Sequence, residues 1–239
     1  MINHPSNRDE RVRDLFDAKA ASWSAKYALG GDLTGRLERF VSALDLHIKP
    51  PARVLDLGCG TGDLALVLAS KGMTVTAIDI STEMLTRASA QDNDAAVEWV
   101  HLQTHWKTLP FDSGRFDAVV ASSVLEYVDD IHLVLREIAR VVADGGFVYC
   151  TVPDPQHLRR RIESLVAPMA RSSIGERLSG SSGRSANYLA YLRISRQRHT
   201  VSWWNNIARS VRLNPLKKQE SKGVRHPLRL LIYQRSSGL

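Results

Sequence analysis

The sequence predicts an α/β protein, a doubly wound and mostly parallel sheet of seven strands with helices before it and a helical cap inserted after the fifth strand. Three observations predict it. Short apolar runs alternate with helical patterns between residues 53 and 153, the rhythm a parallel sheet requires. A glycine-dense turn at residues 58 to 62 stands where the first run gives way to the first helix. No apolar run approaches the roughly 18 residues that would span a bilayer. The 239 residues, 44% hydrophobic and 24% charged, suffice for one core, so one domain is expected.

In the first fifty residues, Val12, Leu15, Phe16 and Lys19 follow helical spacing, and Leu37, Phe40, Val41 and Leu44 repeat the i, i+3, i+4, i+7 pattern. Thr34 suits the N-cap of the second helix, Gly30-Gly31 separates the two, and Pro50-Pro51 closes this segment. Residues 1–50 thus form an N-terminal helical cap. Strands are expected at Arg53 to Leu57, Thr74 to Ile78, Val97 to Leu102, Phe116 to Ala121 and Phe147 to Val152. Helices fall between them at Leu64 to Ser70, Thr82 to Ala90 and Ile131 to Val142, the last capped by Asp129 or Asp130. Lys71-Gly72 and Gly145-Gly146 read as helix ends, where a left-handed residue is wanted. Residues 51–153 make a core.

Beyond Pro153 the rhythm breaks. Leu158, Ile162, Leu165 and Val166 share one helix face while Arg159, Arg160 and Arg161 project elsewhere, and Tyr188, Tyr191 and Leu192 share another. Ser172 to Ser185, rich in Ser and Gly, suits a loop. Residues 154–200 read as an arginine-rich substrate lid, and residues 201–239 as a closing helix (Ser202 to Val211) with two strands, near Lys217 to Lys222 and Leu228 to Gln234.

The first ten residues lack a secretory signal. The two cysteines, Cys59 and Cys150, make neither a disulfide framework nor a metal-ligand spacing. A cytoplasmic location is expected, and no metal site. Cys59 stands beside a helix start, where a thiolate is favoured; a small residue tolerated in a crowded turn is the simpler reading. Residues 1–153 hold 15 basic and 21 acidic groups, residues 154–239 hold 17 and 4, so net charges of −6 and +13 adjoin. They imply an anionic partner for the second part: phosphate, nucleic acid or a membrane face.

Glycines at 58, 60 and 62 remove the side chains that would keep a ligand from the backbone. The helix from Asp63 aims its free N–H groups and positive dipole end at an anionic or carboxylate group. A dinucleotide fingerprint spaces its glycines G-x-G-x-x-G, whereas here the spacing is G-x-G-x-G with Asp63 in the third place. NAD and FAD are therefore disfavoured. Asp56, ending the first strand, would repel a pyrophosphate and suits an ammonium. Asp79 lies 21 residues beyond Gly58, where an acidic residue reaches ribose hydroxyls. An amino acid joined to a ribose points to S-adenosylmethionine.

The segment from Arg53 to about Pro153 resembles the core of the class I S-adenosylmethionine-dependent methyltransferase family, small-molecule type. V-L-D-L-G-C-G-T-G (54 to 62), A-I-D-I-S (77 to 81), L-P-F-D-S-G-R-F-D-A-V-V (109 to 120) and A-D-G-G (143 to 146) stand in family order. The resemblance implies a Rossmann-like sheet and S-adenosyl-L-methionine as cofactor. It puts Asp56 near the methionyl amino group, Gly58, Cys59 and Gly60 under the ligand, Asp79 on the ribose, Ile80 and Met84 beside the adenine, and Ser122 at the site's edge. Where relatives carry a Gly-Asp-Ala-like triplet, this sequence has Thr104-His105-Trp106. His105 or a backbone group then takes the adenine hydrogen bond, and Trp106 either stacks on the ring or packs at the surface. Ser122 to Tyr127 matches a segment that lines the transfer site in relatives, often with His at the place of Tyr127.

Methyl transfer from a sulfonium is an in-line displacement, driven mostly by alignment at about 3–3.5 Å. For a hydroxyl acceptor, Glu126, Tyr127, His105, His157 and His199 are the candidate bases. Relatives select substrate with the N-terminal helices, here Phe16, Trp23 and Tyr27, and with the segment after the fifth strand. Residues 154–200 hold nine Arg and no Lys, and guanidinium forks grip phosphate or carboxylate. Arg159, Arg160 and Arg161 are the candidate acceptor ligands. An anionic small molecule, a glycan- or lipid-linked acceptor, or one on an anionic membrane face is expected, with O-methylation favoured and peripheral membrane contact as one form of it. An RNA methyltransferase is the rival enzyme, disfavoured because no nucleic-acid module is recognisable. A non-catalytic cofactor-binding or scaffold protein is the rival of another class. No particular protein partner is indicated.

Overall fold

The computed structural model describes residues 6–23, 34–173, 184–216 and 226–237. Two helices, α1 (Ser6–Trp23) and α2 (Thr34–Leu44), precede β1 (Arg53–Leu57), α3 (Asp63–Ser70), β2 (Thr74–Asp79), α4 (Thr82–Ser89), β3 (Val97–His101), β4 (Phe116–Ala121), α5 (Ile131–Val141) and β5 (Val142–Pro153). Then come α6 (Leu158–Ala170), α7 (Arg184–Ile194), α8 (Val201–Ser210), β6 (Leu213–Pro215) and β7 (Leu228–Arg235). The seven strands form one sheet in the order β3-β2-β1-β4-β5-β7-β6. β1 through β5 are parallel, with Val54 beside both Val75 and Ala118. β7 runs antiparallel to β5, from Phe147 beside Gln234 to Pro153 beside Leu228.

Near-continuous apolar strands such as Phe116–Ala121 are buried because helices cover both faces. On one face α5 and α8 bury Ile131, Leu135, Ile138 and Trp204 against Leu55, Val119 and Val148. On the other, α2 and α3 bury Phe40, Leu44, Leu64 and Leu68 against Val54, Val75 and Tyr149. The strand order reverses between β1 and β4, and the carboxyl ends of those strands open a crevice, the usual ligand position in such sheets. Among the described residues, no helix is long and apolar enough to cross a membrane.

Of three expectations, two need correction and one falls outside the described residues. Gly145-Gly146 does not end α5: the helix stops at Val141, and Val142, already extended at ψ 142, begins a strand that runs to Pro153. The glycine pair instead serves the register shift between β4 and β5, where a Cβ on Gly146 would stand 2.8 Å from the Asp117 carbonyl. The strand expected near Lys217 to Lys222 falls outside the described residues; the strand that pairs with β7 is Leu213–Pro215. The third concerns α6, whose apolar stripe faces outward. Of the expected stripe, Leu158, Ile162 and Leu165 are 51–79% exposed and Val166 is half-buried, with Met169 exposed beside them, while Arg160, Glu163, Ala167 and Ala170 face inward. Periodicity located the two faces of this helix, but ion pairing decided which one turned in.

Candidate functional site

β1 ends at Leu57 and the chain turns through Gly58, Gly60 and Gly62, all at positive φ (71°, 56° and 80°), before α3 starts at Asp63. Gly58 is required by its neighbour: a Cβ there would lie 2.3 Å from Val124 Cγ2, in the segment that follows β4. A Cβ on Gly60 would lie 3.4 Å from Trp23 Nε1, so the end of α1 closes over the loop. Asp79 ties the turn to β2, its two carboxylate oxygens accepting the N–H groups of Gly60 and Ser81 at 2.8 Å each. Burial raises the proton affinity of Asp79.

Asp56 lies at the floor of this turn, 1% exposed. Its Oδ2 is buried without a hydrogen-bond partner. Burial first, then the charges of Asp79 and Asp63, push its pKa up to about 8. A buried carboxylate this poorly compensated calls for a cation. The Oγ atoms of Ser122 and Ser123 are also buried and unpartnered, and Ser123 holds the strained φ of 60°. Burial and the two aspartates push the Cys59 thiol up as well, so Cys59 is a wall residue and no nucleophile.

A cavity of about 860 Å³ begins at this turn. Its wall includes Asp56, Gly58, Cys59 and Gly60 from the loop, and Asp79, Ile80 and Met84 from the end of β2 and the start of α4. His105, Trp106 and Ser122 complete the part assigned to the cofactor by resemblance. His105, at φ 61°, donates its backbone N–H to Asp9 at 3.2 Å and sets Nδ1 3.1 Å from the same carboxylate. Trp106 is half-buried against the sheet core. An ammonium partner at Asp56, a glycine cradle, an acid at the ribose position and an aromatic wall fit S-adenosylmethionine.

Beyond the loop the cavity continues past Phe16 and Trp23 of α1 and Tyr127, Tyr188 and Tyr191. Phe16 meets Tyr127 edge-on with centroids 5.3 Å apart, and Trp23 at 5.5 Å. Burial, then the Glu126 and Tyr191 charges, raise the Tyr127 phenol well above its ordinary value, so it is a neutral donor at physiological pH. Glu126 is committed elsewhere. Its Oε2 accepts from Ser195 Oγ at 2.7 Å and Tyr191 Oη at 3.0 Å, with Arg160 Nη1 at 3.7 Å. It anchors α7 and does not stand free as a base.

The arginine triplet also separates. Arg160, 6% exposed, donates to Glu163 at 2.9 Å and to Tyr191, so it holds α6 and α7 together even though it touches the cavity. Arg159 is in the wall, its Nε 3.2 Å from Glu163. Arg161 is exposed on α6 and outside the cavity wall. Two imidazoles drop out as bases: His157 Nδ1 caps α6 by accepting the Arg159 N–H at 3.2 Å, and His199 stacks on Trp203 at 3.6 Å. Tyr27 lies outside the described residues. Sequence reasoning missed Asp9, Arg36 and His226, all wall residues, because no motif or spacing connects them.

Residues 55–150 match the family described as "Methyltransferase domain". The chain is 36% identical over 131 residues to a demethylmenaquinone methyltransferase of Thermus thermophilus, covering 54% of this chain and 58% of that protein. It is 33% identical over 139 residues to a malonyl-[acyl-carrier protein] O-methyltransferase of Geobacter sulfurreducens, covering 57% and 50%. It thus spans about half the length of the curated relatives it matches. Among solved structures, a S-adenosylmethionine-dependent methyltransferase of Methanosarcina mazei superposes with a TM-score of 0.62 at 21% identity, covering 81% of this chain and 97% of that one. Phosphoethanolamine N-methyltransferase 2 of Haemonchus contortus, in complex with S-adenosyl-L-methionine, gives 0.62 at 20% identity, covering 88% and 45%. Residues 55–150 thus carry the match to the methyltransferase domain, and the glycine turn, Asp56 and Asp79 stand at the switch point of that same segment.

Proposed function

We propose that this protein transfers a methyl group from S-adenosylmethionine to the oxygen of a small anionic acceptor held in the cavity between α1, α7 and the segment after β4. The observation that carries the reading is the continuity of that cavity from the unpartnered Asp56 to the Tyr127, Tyr191 and His226 end. About 860 Å³ is near the upper end of what one small ligand fills, which leaves room for an acceptor beside the cofactor.

The bound sulfonium supplies an activated methyl group and a neutral leaving group. The protein's work is then alignment and exclusion of water. Asp56 holds an ammonium at one end, and Asp79 keeps the loop against β2. Phe16, Trp23 and Tyr127 wall the far side, and Tyr127 donates a hydrogen bond from a phenol that stays neutral. Glu126 is tied to α7, and His105 to Asp9. An oxygen that is already ionised needs no general base, which favours a carboxylate or acidic hydroxyl; the methylated group named for the Geobacter relative is likewise an oxygen.

The test is calorimetry with S-adenosylmethionine, then labelled methyl transfer to cell extract fractionated by anion exchange. Label in the small, acidic fraction is expected. Label confined to RNA, to protein or to neutral compounds overturns the acceptor class, and no heat with the cofactor returns the chain to a scaffold role.

One observation favours an acceptor presented at an anionic membrane face. The outward stripe Leu158, Ile162, Leu165 and Met169 is flanked on α6 by the exposed Arg159 and Arg161, the distribution of an interfacial helix. Cosedimentation with phosphatidylglycerol vesicles but not phosphatidylcholine vesicles, lost in Leu165→Ser with Met169→Ser, is the expected result. Equal recovery with both lipids counts against it.

A further inference from the structure

The buried arginines of this protein have acidic partners. Arg160 meets Glu163, Arg229 Nε lies 2.8 Å from Asp154, Arg140 Nη2 2.8 Å from Glu137, and Arg8 pairs with Asp129. Two arginines of α2 do not follow this rule among the described residues. Arg36 is half-buried in the cavity wall, and its Nε is buried with no acceptor. Arg39, one turn further along the same face, spends Nη2 on the Leu228 carbonyl at 3.3 Å and leaves Nη1 buried without an acceptor.

His226 joins them in the wall just before β7. Its Nδ1 is held by Leu228, 3.1 Å from the backbone N–H and 3.2 Å from the carbonyl, which leaves Nε2 as the free ring nitrogen. The electrostatics are those of crowded cations. Burial and then Arg36 lower the proton affinity of Arg39. Burial, then Arg39, lower that of His226, with Arg36 and His157 adding to them and the Leu228 backbone opposing. No carboxylate contributes to either shift. Buried guanidinium nitrogens without acceptors cost folding energy, and a binding site is a reason for such a cluster to persist.

We propose that Arg36, backed by Arg39 and flanked by His226, is the receptor for the acidic group, carboxylate or phosphate, of the methyl acceptor. The inference rests on the transferase reading above and moves its anion site from the α6 triplet to α2. Arg36, Tyr127 and His226 line the same cavity as the glycine turn. Guanidinium N–H groups then bind the oxyanion and leave the opposite end of the acceptor facing the cofactor.

The test uses the full chain saturated with S-adenosylhomocysteine, titrated with inorganic phosphate and separately with malonate against sodium chloride at matched ionic strength. In the unmodified protein, one anion is expected to bind and to raise the apparent pKa of the His226 imidazole, followed by its Cε1 proton resonance, because an adjacent anion favours imidazolium. Preference for phosphate or for malonate tells which acidic group the acceptor carries. Arg36→Met is expected to weaken anion binding at least tenfold with cofactor affinity unchanged, and Arg36→Lys to keep part of it. An unmoved His226 resonance, or anion effects equal to those of chloride, overturns the site. It does so even where Arg36→Met fails to fold, and cofactor binding measured alongside reports separately on the transferase reading.

Discussion

Asp56 is the residue on which the proposed cofactor site turns. Its oxygen is buried and unpartnered, and its pKa stands at about 8 against an ordinary 3.8. Replacing it by Asn removes the partner of the cofactor's ammonium. A hydrogen bond to a charged group contributes about 1.5–3 kcal/mol, so calorimetry is expected to show S-adenosylmethionine affinity falling roughly 10–100-fold; equal affinity would remove Asp56 from the site. Gly58 fails for a different reason. Gly58→Ala sets a methyl group 2.3 Å from Val124 Cγ2 at φ 71°, and both stability and cofactor affinity should drop. Adding Val124→Ala should restore part of the melting temperature but not all, because the left-handed conformation still costs about 1–2 kcal/mol for a residue with a Cβ. Full recovery would show that φ is of no consequence there.

Among the elements, α6 carries the clearest lesson. Its outward apolar stripe contradicts the usual reading of an amphipathic helix, and Glu163 explains it. That carboxylate is buried, with Arg160 Nη1 at 2.9 Å, Arg198 Nη1 at 3.1 Å and Arg159 Nε at 3.2 Å, and Tyr188 Oη donating at 3.3 Å. Breaking such a buried pair from one side costs about 3–5 kcal/mol. Glu163→Gln is therefore expected to speed amide hydrogen exchange across α6 and α7 while leaving β1 and β2 protected. Unchanged exchange in α6 would mean that packing of Ala167 and Ala170 holds the helix unaided. Strands and helices of the sheet were legible within a residue or two, apart from the start of β5, because alternation and capping residues such as Asp130, which accepts the Leu133 N–H at 2.9 Å, act locally. The orientation of α6 was not, since nothing within residues 158 to 170 states that Glu126 and Arg198 will be its neighbours.

For the molecule as a whole, the acids beneath the glycine turn link stability to pH. Between about pH 4 and pH 8 folded Asp56 retains a proton that the unfolded chain has released, so its contribution to stability falls as pH rises and levels off above 8. Burial shifts Asp79 in the same direction. Binding an ammonium at Asp56 expels that proton and removes the penalty. The melting-temperature gain from saturating cofactor is thus expected to grow from pH 6.0 to 7.5, with close to one proton released on binding near pH 6.5 in buffers of different ionisation enthalpy. The window closes there because an α-amino group itself titrates at about 7.7–8.0. A pH-independent gain, or no proton release, would place the ammonium elsewhere. The charge contrast between the two halves of the sequence is also reduced by folding. Arg160 turns to Glu126, and Arg235 Nε lies 3.0 Å from Asp144, so these two basic groups of the +13 segment answer acids of the −6 one.

The sheet, its switch point and the glycine turn where the cavity begins were readable from the chain alone, because each is written in contiguous residues: a strand, three glycines, an acid at either side. The arginine richness of the later segment was equally plain. The use of those arginines was settled by the folded arrangement. Pairing across the fold consumed Arg160, took Glu126 out of contention as a base, and left Arg36 and Arg39, far away in sequence, without acidic partners among the described residues beside His226. A charge is defined by composition, but its availability depends on which opposite charges the fold brings within reach.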